Sequence, residues 1–124
     1  MPPIPAVVGN PVDGDSVWLT PTNAATSPFM ARIGGVDTPS SGRRAVAGKA
    51  LIRSWKGRRV LFYETCCGRP HGEVPGIIVD ASTGENLGRL LVAGGHASRW
   101  QTFSIDPPST SSALASGLPS LTML

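Results

Sequence analysis

Cysteine is nearly missing from this chain. Its 124 residues hold two, Cys66 and Cys67, and they are neighbours. Adjacent cysteines rarely bridge each other, because the link strains the peptide between them. Two thiols are also too few for a structural zinc site, and they suit a reducing compartment or a pair of small buried side chains. Long apolar runs are absent too, so nothing in the sequence approaches the roughly 20 residues of a membrane-spanning helix. The opening MPPIPAVVGNP has neither the basic n-region nor the apolar run of a secretory signal. An intracellular location is expected, and residence in an organelle would require a targeting segment already removed.

Charge of one sign is lacking by region. Residues 1–31 contain Asp13 and Asp15 but no lysine or arginine, and residues 104–124 contain no base either. Between positions 32 and 69 acids are the scarce partner. Nine of the eleven basic residues fall there with only Asp37 and Glu64, a local charge of +7. A concentrated basic segment suits a phosphate-bearing or acidic partner, although a solvated helix face would read the same way. The candidate contact residues are Arg43, Arg44, Lys49, Arg53, Lys56, Arg58 and Arg59.

What is present is enough for one small domain with a modest core. SVWLT (16–20) alternates, with Val17 and Leu19 on one face and Ser16, Trp18 and Thr20 on the other. FMARI (29–33) does the same with Phe29, Ala31 and Ile33. The proline-bounded loop between them makes the pair a hairpin. Antiparallel pairing then returns the chain to its starting end and brings Asp37 toward Asp15. A helix is predicted from Arg43 to Lys56, capped by Ser40 or Ser41, with Ala47, Leu51 and Trp55 as its apolar stripe and Ala50 beside them. Strands follow at 58–64 and 75–80. A second helix begins at Asn86, has Leu87, Leu90 and Leu91 as its stripe, and stops at Gly94–Gly95. Short strands with interposed helices are predicted to form a mainly β, α+β fold, either a small closed barrel of the OB type or an open sandwich.

The segment from Ser104 onward is rich in serine, proline and small residues. Two units are therefore expected, a domain over 1–103 and an extension over 104–124 that docks on a partner surface or folds back on its own barrel. His96 at a helix end suits packing, and His71 lies in a loop without a paired carboxylate. Trp18, Trp55 and Tyr63 are the aromatic candidates for a binding face, with Trp55 better explained as core.

Four pieces in order, VDGDSV (12–17), ARIGGVDTP (31–39), the alanine-bearing helix and ENLGRLLVAGGHA (85–97), resemble the staphylococcal-nuclease-like (thermonuclease) family. The resemblance spans roughly residues 7–97 and implies a five-stranded OB-type barrel. It also implies a calcium site at Asp15, Asp37 and the Thr38 carbonyl, with Arg32 gripping the phosphate of DNA or RNA. Hard cations take oxygen ligands, an attacking water needs a base, and a phosphorane oxyanion needs cationic donors. Family members place a glutamate directly after DTP; here Ser40 stands in its place, and a serine hydroxyl cannot serve as that base alone. The second phosphate arginine matches either Arg69 or, by spacing back from the final helix, the position of Glu73, which would oppose a phosphate. The expected function is a nuclease-like domain with an incomplete catalytic site, acting as a structural or interaction subunit among protein partners. A calcium-dependent phosphodiesterase and a non-catalytic nucleic-acid-binding barrel are the alternatives.

Overall fold

The structure, a computed structural model, describes residues 2–39, 41–65, 72–99 and 104–107. Strands β1 (Ile4–Pro11), β2 (Ser16–Pro21), β3 (Phe29–Ile33), β5 (Arg59–Glu64) and β6 (Val74–Asp80) close into a barrel ordered β1-β2-β3-β6-β5. Short strands β4 (Val36–Asp37) and β7 (Ser98–Arg99) form a separate two-stranded ladder. Helix α1 (Arg43–Ser54) joins β4 to β5, and α2 (Leu87–Ala93) follows β6. Every barrel pairing is antiparallel except β3 with β6, and β1 with β5 completes the closure. The architecture is a closed five-stranded barrel of the OB type with two helices, so the open-sandwich alternative is set aside. Closure leaves none of the five barrel strands with a free edge.

Alternation builds the core. Val17 and Leu19 from β2, Ala31 and Ile33 from β3, Val60 and Phe62 from β5, and Ile78 from β6 all point inward and are buried. The hairpin forms as the periodicity predicts, with Ser16 opposite Arg32 and Trp18 opposite Met30. Local periodicity does not mark β1 as a strand, because its two prolines and its glycine weaken the pattern. It is nonetheless central to closure, pairing with both β2 and β5 while Ala6 and Val8 enter the core. A shift in register between Val8 and Pro11 accommodates the proline end.

Helix α1 differs from the sequence reading in two respects. Its N-cap is Gly42, without a side-chain cap; Ser41 does not cap, and Ser40 lies outside the described residues. Its buried face is Gly48, Ile52 and Trp55, while Leu51 and Ala47 sit at the boundary and Ala50 is exposed. The predicted every-fourth-residue stripe is thus rotated by about one position, because Gly48 lets the helix approach α2 and the His96 side chain closely. Trp55 ends the helix and is core, as the sequence indicates. In α2 the Asn86 side chain accepts from the Arg89 N–H as an N-cap, and Leu87 and Leu91 are buried with Leu90 packed against them.

The first described residues after β7 pack onto the domain. Ile105 is buried, its carbonyl accepts from Asn86 Nδ2 at 2.6 Å, and Asp106 forms a bidentate pair with Arg89. They cross the Gly34–Gly35 turn so tightly that a Cβ on Gly35, already at φ 76°, would lie 2.7 Å from Ile105 Cγ2. Residues 108–124 of the expected extension lie outside the described residues.

Candidate functional site

The loop between β1 and β2 carries the acids of VDGD. Val12 N–H donates to the Ser16 carbonyl at 2.8 Å, and the Asp13 side chain accepts from the Asp15 N–H at 3.1 Å. That second bond is an Asx turn, the local signature of an aspartate two residues before its donor. Gly14 at the turn is buried against the DTP loop, where an added Cβ would lie 3.3 Å from Thr38 Oγ1. Two segments that are far apart in sequence, VDGDS and DTP, therefore meet here.

Asp15 is the centre of the cluster. Its backbone carbonyl accepts from the Ile33 N–H at 2.8 Å, which ties the loop to β3. Its carboxylate pairs with Arg32 at 3.4 Å, with side-chain exposures of 15% for Asp15 and 30% for Arg32. The fully buried Ser16 hydroxyl lies 3.2 Å from Asp15 Oδ1 and 2.6 Å from Glu73 Oε2. A hydroxyl has one proton, so two carboxylates compete for it. Burial, reinforced by the shared hydrogen bond and charge of Asp13, pushes the Asp15 carboxyl up to about 6, against the pull of Arg32 and Ser16. Asp13 moves the other way: its partial burial opposes ionisation, but hydrogen bonds from Asp15 and Ser16 outweigh it and hold it below the usual carboxylate range. The two neighbouring carboxyls are thus shifted apart, Asp15 upward and Asp13 downward.

The other sequence candidates are distributed more widely. Asp37, on β4, is exposed, and its carboxylate bonds to no described residue. Among the described residues no three His, Cys, Asp or Glu side chains converge as a metal-holding group. The Asp15 carboxylate is already ion-paired to the Arg32 guanidinium, which engages one of the oxygens a hard cation would need. Thr38 adjoins Gly14, as described. Ser40, Arg69, His71, Cys66 and Cys67 lie outside the described residues, whereas Glu73 sits within the cluster through Ser16. Of the basic candidates, Arg44 is engaged within the chain, its Nε donating to the Gly95 carbonyl at 2.8 Å. Arg58 is engaged as well, pairing with Asp80 and Glu85 and lying 4.5 Å over the Trp55 ring. His96 is half-buried and packs against Gly48.

Sequence reasoning missed two members of the cluster. Asp13 was legible as an Asx-turn residue but not as a group that raises the Asp15 carboxyl. The Ser16–Glu73 bond spans 57 positions and has no local signal. No protein-family model matches the chain, and no curated protein matches it.

Proposed function

We propose that this chain is a non-hydrolytic barrel module, derived from a phosphodiesterase-type site and serving as a binding or structural subunit of a larger assembly. The supporting observation is the charge balance around Ser16. Among the described residues the one guanidinium paired within the cluster, Arg32, is engaged by Asp15, and Asp13 and Glu73 add carboxylates around Asp15 and Ser16. Counted over the described residues, a phosphodiester brought to this point would meet more negative charge than positive, the reverse of what stabilises a developing oxyanion. Ser40 in the position of the water-activating glutamate of the staphylococcal-nuclease-like pattern supports the same reading.

The test is a cleavage assay on the purified chain with single-stranded DNA and RNA at millimolar calcium. No calcium-stimulated cleavage above that of the Asp37→Ala variant is expected. Turnover that calcium stimulates and Asp37→Ala abolishes would overturn the reading in favour of a calcium-dependent phosphodiesterase with a rearranged base.

A further inference from the structure

Helix α1 carries charge that the rest of the described chain does not answer. Four of its twelve residues are basic, and no acid occurs anywhere between Asp37 and Glu64. Arg32, Arg58 and Arg89 each find a carboxylate, but no described carboxylate pairs with Arg43, Lys49, Arg53 or the following Lys56. The arrangement is unfavourable for an isolated helix. Arg43 and Arg44 sit at the positive end of its dipole, no side chain caps it, and Lys49 and Arg53 are like charges one turn apart. Arg43, Val46, Ala50 and Arg53 fall on one outward stripe, with Lys49 beside it, opposite the buried Gly48–Ile52–Trp55 face.

The chemistry of the face selects its occupant. A protein partner would need an apolar, charge-depleted centre, and the only large apolar side chain exposed on this helix is Val46. A single strand would need aromatic platforms for its bases, and the aromatic residue that ends α1, Trp55, is buried at 1% exposure. What remains is a rigid line of cations over a helix about 18 Å long, with small side chains between them that permit close approach. We infer that the outward face of α1 is a docking surface for the phosphate backbone of double-stranded DNA. The inference stands apart from the Ser16 cluster and does not depend on whether that cluster hydrolyses anything.

Fluorescence anisotropy of a labelled 20-base-pair duplex with the full chain in EDTA tests it, across a salt series. Four phosphate contacts give a slope of log K against log salt of about −3.6, and the triple variant Arg43→Gln/Lys49→Gln/Arg53→Gln should fall to about −0.9. At low salt that variant is expected to bind more than about tenfold more weakly. Arg43→Lys/Arg53→Lys, which keeps the charge, should bind as the parent does. Circular dichroism on each variant separates lost binding from lost folding, and Gln and Lys are both good helix formers. Absent duplex binding by the parent chain, or unchanged binding by the folded Gln variant, would overturn the proposal. So would a single strand of equal length or a poly-glutamate peptide of equal charge binding as tightly as the duplex.

Discussion

Two of the aspartate–arginine pairs, Asp15–Arg32 and Asp80–Arg58, have carboxyl groups driven in opposite directions. Asp80, at the end of β6, accepts from the Ser82 N–H at 2.7 Å and the Thr83 N–H at 2.9 Å before Arg58 adds its charge. Those backbone donors, chiefly Thr83 and Ser82, hold it below the usual carboxylate range. Asp15 has a similar arginine at a similar distance, yet burial and Asp13 push it up to about 6. The difference teaches that an arginine partner does not by itself define an ion pair's role. Around Asp80 the other contacts are donors, and the pair fixes a turn. Around Asp15 they include competing acids, and the carboxyl is pushed up despite the pair.

The largest break in this comparison should come from Asp80→Ala. It orphans two turn N–H groups and leaves Arg58 with Glu85 and the Trp55 ring alone. Thermal denaturation at pH 7 should show a midpoint lowered by more than about 5 °C. Asp80's contribution belongs to its ionised form; it is present above the unfolded carboxylate pKa of about 3.9 and is lost as pH falls through the lower folded value.

Asp15→Asn should act in the opposite sense. Because the folded carboxyl titrates near 6, above its unfolded value, Asp15's contribution is full below about pH 3.9 and is lost as pH rises through about 6. The parent protein should therefore lose stability across that window relative to Asp15→Asn, by about 1 kcal/mol once solvent screening is allowed for. Urea denaturation at pH 4.5 and 7.5 measures the difference, and parallel curves for the two proteins would refute it.

Glu73→Gln is the finest probe. With the competing carboxylate gone, the Ser16 hydroxyl can donate fully to Asp15 Oδ1, and the Asp15 carboxyl should titrate a few tenths lower. Carbon-13 NMR of the carboxyl groups reads this directly, with Asp80 as the internal reference that should not move.

Much of the barrel was legible because its cause is local. The alternation of SVWLT and FMARI, the proline-bounded loop between them and the Gly94–Gly95 stop each act within a few residues. β1 was not, since its prolines mask a strand whose pairing is supplied by β2 and β5. The helix face was off by one position because Gly48 is chosen for close packing, which apolar periodicity does not register. In the site, the meeting of VDGDS with DTP followed from hairpin logic and is seen at Gly14 and Thr38, while Asp37 itself is exposed.

By itself the sequence determined which residues could alternate, where the turns fall and where positive charge accumulates, because these depend on side-chain type and short spacing. Only the tertiary structure decided which charges are answered. Closing the barrel set Glu73 against Ser16 across 57 positions and buried Asp15 beside Asp13. It also gave Arg32 and Arg58 their carboxylates and left Arg43, Lys49 and Arg53 of α1 without one among the described residues. Electrostatic roles depend on burial and on long-range neighbours, and a chain acquires both only when it folds.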